Sequence, residues 1–216
     1  MMKSDVKEDA RSVTLRKPKA ERWEQLLDAA ADIFFEKGYD AATLQDIAER
    51  VGILKGSIYY YIKTKTDLRD SLLANLNRQR IDFISERARS GETSIEKLVA
   101  MIRGHVEFYC ANPRKSTVYL QESRRIDKAA RARVVRSGSY RVEFQRVLEQ
   151  GQKEGTILPE LEPELSSRAI LSALNALYLW YTPRFPQARV ADHFVTTILR
   201  GHATEAGLEA FRKLPI

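Results

Sequence analysis

One stretch, residues 43–65, constrains the fold of this chain more than any other. It opens with Thr43, a residue type that caps helix N-termini, and Asp46 stands three residues later in the capping-box position. Ala48 and Gly52 follow at a four-residue spacing: the small side chain lets a second helix approach closely, and the glycine accepts the positive φ of a tight turn. The pattern predicts two short helices joined by a tight turn, which is typical of a helix-turn-helix.

The second helix of this pair is predicted over residues 54–62, with Ile58 and Ile62 anchored in the core. Its first turn points away from those anchors. In a helix-turn-helix, this first turn holds the side chains that reach base edges when the helix lies in the major groove of DNA. The residues predicted to read or approach bases are Lys55, Gly56 and Ser57.

Tyrosines and lysines follow this first turn. Helical periodicity places Tyr60 on the side of the core anchors and Tyr59 and Tyr61 elsewhere, where their hydroxyl groups can donate hydrogen bonds to phosphates. Lys63 and Lys65 stand at the end of the helix, where ammonium groups can straddle the backbone of the duplex. The stretch is therefore predicted to bind double-stranded DNA.

The charge of the chain is unevenly distributed. The whole sequence carries a net charge of +7, yet residues 1–70 hold 13 lysines and arginines and 13 aspartates and glutamates. The surplus lies in residues 114–146, with ten basic residues against three acidic ones. Three interpretations of this basic run stay open: it binds an anionic effector, it makes a secondary contact with DNA, or it is a solvated helix face.

Within the neutral N-terminal part, the two signs of charge are separated. Residues 50–66 contain four bases and no acid. Upstream, apolar periodicity predicts a first helix over residues 21–37, which Gly38 ends. Acids recur along it at spacings of three and four, which places them on one stripe of this helix. This part of the chain can thus present one basic face and one acidic face. The acids of the stripe are Glu21, Glu24, Asp28, Asp32 and Glu36.

Composition narrows the class of protein. With 44% hydrophobic and 30% charged residues, the chain is expected to be soluble and globular, and no run approaches the roughly 18 apolar residues of a membrane span. Residues 1–20 lack the apolar core of a signal peptide, so a cytoplasmic location is expected. Cys110, the single cysteine, is interpreted as a buried small hydrophobe. Neither a metal site nor a cofactor is expected.

Residues 21–70 contain a set of motifs that belong together: Phe34, Gly38, Thr43, Asp46-Ile47-Ala48, Val51-Gly52, Lys55-Gly56-Ser57-Ile58-Tyr59-Tyr60-Tyr61-Ile62 and Lys65-Thr66-Asp67-Leu68. This set closely resembles the N-terminal signature of the tetracycline-repressor (TetR) family of one-component transcriptional regulators. The resemblance is specific because it combines a full helix-turn-helix with the helix before it and the Lys-x-x-Leu after it.

The resemblance implies roles for individual residues. Phosphate contacts are implied for Thr43 and Lys65, base contacts for Lys55, Gly56 and Ser57, and backbone or base contacts for Tyr59 and Tyr61. One departure concerns Tyr61, which stands where the family often has histidine. The implied fold does not depend on that position.

Periodic apolar residues predict further helices over 66–88, 95–109, 115–125, 127–154 and 163–182, and a last long helix after Pro186. The predicted fold class is all-α, with a three-helix DNA-binding domain followed by a larger helical domain for ligand binding and dimerisation. We divide the chain into a flexible basic arm (1–20), a helix-turn-helix domain (21–67) and an effector-binding and dimerisation domain (68–216). The arm either reaches DNA phosphates and the minor groove or is a solvated tail.

Residues 163–182 are apolar nearly all round the helix, and the last long helix carries two adjacent apolar faces. One face of each must meet the domain core and another a second buried surface. A symmetric four-helix interface between two copies explains this pattern, and a monomeric core is the alternative. A homodimer also supplies two reading helices for a palindromic operator. The predicted interface residues are Leu171, Leu174, Tyr178, Phe194 and Ile198.

The middle helices are predicted to enclose a pocket for a small-molecule effector. The charge of the basic run suits an anionic effector such as a CoA thioester. Residues 151–155 and 180–183 resemble acyl-CoA-responsive members of the family, which implies a CoA thioester or another anionic or aromatic metabolite as the effector. The candidates are aromatic and polar residues around the core, each of which can also be plain core. They are Met101, His105, Phe108, Tyr109, Tyr119, Phe144, Asn175 and Tyr178.

The sequence thus predicts a ligand-responsive transcriptional regulator, a repressor, that binds DNA as a dimer and is released by its effector. In the mechanism that the resemblance implies, effector binding moves the fourth helix and changes the separation of the two reading heads. An architectural DNA-binding protein without an effector is the alternative. An enzyme is not expected, because the sequence contains no phosphate-binding Gly-Lys-Ser/Thr loop, nucleophile elbow or paired metal ligands.

Overall fold

The computed structural model describes residues 18–134 and 140–214. These residues form helices, with no β-strand beyond one isolated bridge between Ile157 and Ala203, and the all-α fold class is confirmed. Most of the predicted arm, 1–20, lies outside the described residues. The helices are α1 (Lys19–Ala41), α2 (Leu44–Val51), α3 (Lys55–Ile58), α4 (Lys65–Arg89), α5 (Ser94–Ala111), α6 (Pro113–Glu122), α7 (Lys128–Val134), α8 (Tyr140–Lys153), α9 (Pro163–Asn175), α10 (Leu177–Trp180), α11 (Gln187–His202) and α12 (Glu205–Arg212).

A first hydrophobic core forms where α1, α2, α3 and the start of α4 meet. Leu26 and Leu27 of α1 pack against Ile47 of α2, Ile58 of α3 and Leu68 of α4, and all five side chains are fully buried. Burying an aliphatic side chain contributes about 1.5–3 kcal/mol. Helices as short as α2 and α3 are unstable alone in water, so this burial is what holds the helix-turn-helix in place.

The end of α1 differs from the sequence expectation. Gly38 has φ 76° and ψ 155°, which are not helical values, and it produces the predicted break. The helix then continues for a few residues to Ala41, and the Ala42 N–H donates a hydrogen bond to the Gly38 carbonyl oxygen. The break at Gly38 was therefore predicted correctly, whereas the end of the helix lies beyond it.

The second helix of the pair is shorter than predicted, because α3 ends at Ile58 rather than at residue 62. Tyr60 and Tyr61 donate backbone hydrogen bonds three residues back, to Ser57 and Ile58, in a tight turn. Helical periodicity does not apply in such a turn. Tyr60 is consequently 72% exposed, and Tyr61 packs against the first core, the reverse of the prediction.

The long helix α4 joins two cores. Its N-cap is Thr64, whose side chain accepts a hydrogen bond from the Asp67 N–H, so the helix begins at Lys65, one residue before the predicted start. Leu72 lies in the first core and Ile84 in the second. The domain boundary that the sequence places between residues 67 and 68 stays a prediction.

The second core is centred on α5, which packs against α4, α8 and α11. The helix predicted over 127–154 is observed as α7 and α8, with residues 135–139 outside the described part of the chain. The helix predicted over 163–182 is observed as α9 and α10, with Ala176 between them. Helix α12, which the sequence analysis missed, packs against α5 and α11.

Candidate DNA-reading surface and effector cavity

The first turn of α3 is presented to solvent. Lys55, Gly56 and Ser57 are all exposed, while Ile58 behind them is fully buried in the first core. A Cβ added at Gly56 would meet no atom within 4 Å, so the fold itself does not require glycine there. This side of α3 is free to face a partner, and the predicted base contacts stay a prediction.

Thr43 forms the capping box of α2. The Asp46 N–H donates to Thr43 Oγ1 over 3.1 Å, and the Asp46 carboxylate accepts from the Thr43 N–H at 2.9 Å and from its hydroxyl at 2.8 Å. Lys37 adds an ion pair of 2.7 Å, and Lys37 together with Thr43 lowers the pKa of Asp46 to about 2. A phosphate contact from Thr43 therefore has to replace one of these bonds.

Lys65 is engaged inside the protein. Its Nζ donates to the carbonyl oxygens of Tyr39 at 2.8 Å, Asp40 at 3.1 Å and Ala42 at 2.8 Å, which uses all three ammonium hydrogens. These carbonyl groups lie at the C-terminal end of α1, where the helix dipole favours a cation. In the described structure the side chain ties the start of α4 to the end of α1. A phosphate contact from Lys65 has to replace one of these bonds, and it stays a prediction.

Other polar groups at the end of the helix-turn-helix remain free. Lys55, Lys63 and Tyr59 are exposed, and none has a hydrogen-bond or ion-pair partner among the residues that the structure describes. Tyr60, which the sequence analysis assigned to the core, lies beneath Lys19, whose Nζ is 4.8 Å from the ring centroid. Tyr61 is partly buried, so less of its surface is available to DNA.

Ion pairs connect the acidic stripe of α1 with the basic residues of α6 and the turn after it. The distances are 2.7 Å for Lys115–Asp28, 3.4 Å for Arg114–Asp32, 3.6 Å for Arg114–Glu36 and 2.6 Å for Arg125–Asp40. We call this set the α1–α6 ladder. The Arg125 guanidinium holds the pKa of Asp40 below its usual range. The side chains of the ladder are 29–74% exposed, so each pair is individually weak and sensitive to salt.

A small cavity lies between α4, α5, α6 and α9. This inner cavity has a volume of about 20 Å³, room for about one water molecule. It adjoins an outer cleft of about 300 Å³, and the two share Arg80, Tyr119, Leu120 and Asn175 as lining residues. Arg124 lines the outer cleft only. The two spaces are therefore neighbours, and the side chains that they share lie between them.

The structure brings most of the predicted pocket residues together. Tyr178 lines the outer cleft. Met101 and Phe144 line neither space, which corrects two predictions: Met101 lies with α8 residues on another side of α5, and Phe144 packs on Tyr140 in the second core at 5.1 Å between ring centroids. The predicted residues that line the inner cavity are His105, Phe108, Tyr109, Tyr119 and Asn175.

Four buried polar atoms belong to residues that line the inner cavity and have no hydrogen-bond partner among the described residues. They are Arg80 Nε, His105 Nδ1, Ser116 Oγ and Asn175 Oδ1. Burial, and secondarily the charge of Arg80, lowers the pKa of His105 to about 3, so the imidazole is neutral at physiological pH. Orphaned polar atoms of this kind are rare in native proteins, and ligand sites are one place where they occur.

The sequence analysis missed Arg80 and Ser116. One signal was available for Arg80, because it stands four residues after Leu76 and four before Ile84, on the apolar side of α4. A charged residue at a core-facing helical position needs a partner or a function. Ser116 offered no comparable signal, since serine is common on both buried and exposed surfaces.

The apolar C-terminal helices have an exposed side. Leu179 is 69% exposed and Trp180 is 45% exposed, and the Trp180 ring stacks on Phe194 with 6.3 Å between centroids. A groove of about 500 Å³ runs beside these rings between α9, α10 and α11. Exposed apolar patches are typical of interaction sites, and the predicted homodimer interface stays a prediction.

Two predicted interface residues lie inside the protomer. Leu174 is 0% exposed and Ile198 is 7% exposed, and both belong to the second core, which corrects their assignment to the interface. When a helix is apolar on all sides, its sequence does not distinguish the side that packs in the core from the side that forms an interface. Leu171, Tyr178 and Phe194 lie at the edge of the core and are partly buried, so their interface role stays a prediction.

Comparisons with known proteins place the chain in a family. Residues 26–72 match the profile of "Bacterial regulatory proteins, tetR family", and residues 91–202 match "Tetracyclin repressor-like, C-terminal domain". The chain belongs to the TetR family. The sequence resemblance at the helix-turn-helix is thereby confirmed and extends through the second core.

Individual TetR-family proteins are similar over most of their length. The transcriptional repressor KstR2 of Mycobacterium tuberculosis is 29% identical over 84% of this chain and 92% of the KstR2 chain. The structure of KstR2, described as a ketosteroid transcriptional regulator, superposes with a TM-score of 0.71 over 88% of this chain and 98% of that one. The fatty acid metabolism regulator protein of Bacillus subtilis is 26% identical over 74% of this chain and 82% of its own. AibR, solved with isovaleryl coenzyme A and operator DNA, is 21% identical with a TM-score of 0.71 over 82% of this chain and 97% of that one, which shows the shared fold.

Two further features are absent from the described residues. None of the helices there is long and apolar enough to cross a membrane. The same residues contain no group of three or more histidine, cysteine, aspartate or glutamate side chains that could hold a metal ion.

Proposed function

We propose that this TetR-family chain is a transcriptional repressor that binds a palindromic operator as a homodimer and releases it when a small-molecule effector binds. One observation carries the proposal: α4 and α6 lie between a free, exposed reading turn on α3 and a cavity lined by partnerless polar atoms. Similar family members, KstR2 among them, are named as transcriptional repressors.

The reading contacts are proposed for the free side chains of the helix-turn-helix. Lys55 and Ser57 face bases in the major groove, Gly56 allows close approach, and Tyr59 and Lys63 contact phosphates. A reading helix of one turn offers few contacts. Two copies in one dimer, each on its own half-site, supply the remaining affinity.

The homodimer interface is proposed for the exposed apolar side of α9, α10 and α11. Leu179 and Trp180 occupy this side, and the groove beside Trp180 and Phe194 can receive apolar side chains of a second copy. A two-fold interface between identical faces matches the two-fold symmetry of a palindrome.

The effector class that we propose is a CoA thioester. AibR was solved with isovaleryl coenzyme A, and the relatives include a fatty acid metabolism regulator. In this chain the outer cleft is lined by Arg124 together with Ser123 and Ser172, groups that suit the phosphates of CoA. The acyl group then lies in the inner cavity.

Release of the operator follows from the small size of the inner cavity. At about 20 Å³ the inner cavity is too small for an acyl group, so the effector enters only when α6 moves away from α4 and α5. Movement of α6 displaces Arg114 and Lys115, which hold α1 through the ladder. The reading heads change their separation, and the half-sites no longer fit. A differential affinity of about 1–3 kcal/mol is typical of such coupling.

Selection of binding sites from a random double-stranded DNA library tests the proposal. We expect an inverted repeat to be enriched by the wild-type chain, and CoA thioesters to release the selected DNA in gel-shift titrations. Lys55→Ala should change the preferred bases, whereas Lys153→Ala at the exposed end of α8 should not. Enrichment without any inverted repeat contradicts the proposal.

A second candidate function is an architectural DNA-binding protein without an effector. The small volume of the inner cavity favours it, since one buried water can occupy such a space. The two candidates differ in one measurement. A compound that binds the folded chain and releases the operator is expected only of the sensor.

A further inference from the structure

Arg80 places its guanidinium beside the second core, without an acidic partner among the residues that the structure describes. Within the described residues its guanidinium donates to the neutral oxygens Asn77 Oδ1 at 3.0 Å and Tyr119 Oη at 3.3 Å. It also lies over two aromatic rings, 4.6 Å from the centroid of Tyr119 and 5.3 Å from that of Tyr140. These contacts orient the group but do not neutralise it, and an uncompensated charge in such surroundings is costly.

The unused atom of this guanidinium belongs to the inner cavity. Arg80 Nε is buried and has no hydrogen-bond partner among the described residues, and the same is true of His105 Nδ1, Ser116 Oγ and Asn175 Oδ1. The four residues come from four different helices, α4, α5, α6 and α9, and line the same space. His105 and Ser116 are more than nine-tenths buried. A single water could bridge these atoms, but it could not balance the charge of Arg80.

We propose that Arg80 binds a carboxylate at the buried end of the effector. A carboxylate accepts hydrogen bonds from Arg80 Nε–H, from the Ser116 hydroxyl and from His105 in its Nδ1–H tautomer, and its charge balances the guanidinium. The inference rests on the proposed function, since it names the chemistry of the same effector. It assigns the effector to carboxylic acids, or to CoA thioesters whose acyl group bears a second carboxylate.

The same geometry disfavours a plain hydrocarbon chain. Such a chain would leave four buried polar atoms unpaired, and sites built to bond an oxygen discriminate strongly against analogues without one. We expect a neutral analogue of equal size to bind at least about tenfold more weakly.

Matched probes test this inference. Short straight-chain monocarboxylates and the primary amides of the same acids are compared, by thermal shift and calorimetric titration, on the full chain. The amide has nearly the same shape but no charge. We expect the carboxylates to raise Tm and to bind at least about tenfold more tightly than the amides. Arg80→Met should abolish this preference, whereas Arg78→Met, at an exposed position of the same helix, should keep it.

Arg80→Lys serves as a second variant in case Arg80→Met does not fold. It keeps the charge but loses the Nε–H, so it should retain a preference for carboxylates that is weaker than that of the wild type. Carboxylates that bind no better than amides at any chain length overturn the inference. A preference that survives in Arg80→Met overturns it as well.

The operator titration separates this inference from the proposed function. If the ligand-free chain binds an inverted repeat that some other compound releases, while carboxylates show no preference, only the chemistry assigned to Arg80 is wrong. If carboxylates bind through Arg80 but no inverted repeat is selected, the proposed function is wrong and the binding site stands.

Discussion

At the scale of single residues, three lysines of similar sequence context have different surroundings. Lys55 and Lys63 are exposed and have no partner among the described residues, whereas Lys65 donates to three carbonyl groups at the end of α1. The difference arises because the carbonyl groups that follow the break at Gly38 lie beside the Lys65 ammonium. In the described structure this lysine therefore stabilises the fold.

Lys65→Ala is expected to destabilise the chain by about 1–2 kcal/mol, because it removes a cation from a helix C-terminus and leaves three carbonyl groups without their donor. For a chain of this size the corresponding fall in Tm is about 2–8 °C. Thermal unfolding followed by circular dichroism measures it. An unchanged Tm would show that solvent replaces the ammonium at no cost.

Lys63→Ala is expected to leave Tm unchanged and to alter the salt dependence of operator binding. Its Tm should equal that of the wild type, because the side chain has no partner in the described structure. The slope of log Kd against log salt for operator binding should flatten by about 0.9 for each phosphate that the variant no longer neutralises, and a dimer has two copies of this lysine. Gel-shift titrations over a range of salt concentrations give this slope. A wild-type slope for Lys63→Ala contradicts the assignment of this lysine to a phosphate.

At the scale of elements, α6 is the helix that touches both functional regions. Lys115, Ser116 and Tyr119 line the inner cavity, while Arg114 and Lys115 also form ion pairs with acids of α1. Helix α4 also runs between the two regions and contributes residues to both cores. The ladder on α6 thus offers a second route, beside α4, by which the cavity can act on the reading heads.

Exchanging the charges of one ladder pair tests that route. Asp28→Lys and Lys115→Asp should each weaken operator binding, by no more than about fivefold because the pair is largely exposed, and the double variant should restore it. Arg146→Glu, which breaks a pair within α8, is the matched control and should leave binding unchanged. Additive effects in the double variant would falsify the ladder as a coupling element.

The N-terminus of α2 has its own pH dependence. Because the folded state holds the pKa of Asp46 at about 2, below its ordinary value of 3.8, the carboxylate stabilises the fold above about pH 4, and this contribution is lost as the pH falls towards 2. The difference in Tm between the wild type and Asp46→Asn should therefore shrink over that interval. Thermal melts at several pH values measure it, and a difference that does not vary with pH contradicts the assignment.

At the scale of the whole molecule, two cores share one helix, and the second core leaves an apolar side uncovered. Residues of α9, α10 and α11 that complete the core alternate with residues such as Leu179 and Trp180 that remain in solvent. A monomer with this surface is prone to association. Dimerisation would both cover it and set the distance between the two reading helices.

Trp180→Glu should therefore give a monomer that has lost operator affinity although it still folds. Burying a carboxylate in an apolar interface is costly, so the dimer dissociates. Size-exclusion chromatography with light scattering gives the mass, and circular dichroism confirms the helices. Phe35→Glu, at an exposed aromatic on α1, is the control that should remain dimeric. If Trp180→Glu remains a dimer, the interface lies elsewhere on the molecule.

The sequence by itself determined the local features. The capping residue Thr43, the break at Gly38, the αL turn at Gly52 with φ 72° and the apolar faces of the long helices all depend on near neighbours in the chain, and each was predicted from residue type and spacing. The motifs of residues 21–70 also identified the family. These properties are local because backbone conformation and helical periodicity are set within a few residues.

Only the tertiary structure decided which partner each side chain meets. The short α3, the carbonyl groups that receive Lys65, the acids that pair with α6 and the burial of Leu174 all depend on contacts between residues far apart in sequence. Arg80 is the clearest case. Its spacing from Leu76 and Ile84 indicates that it faces the core, but this spacing does not indicate which aromatic rings and partnerless atoms surround it. Helical periodicity gives the side of a helix on which a residue lies, whereas packing determines what lies opposite.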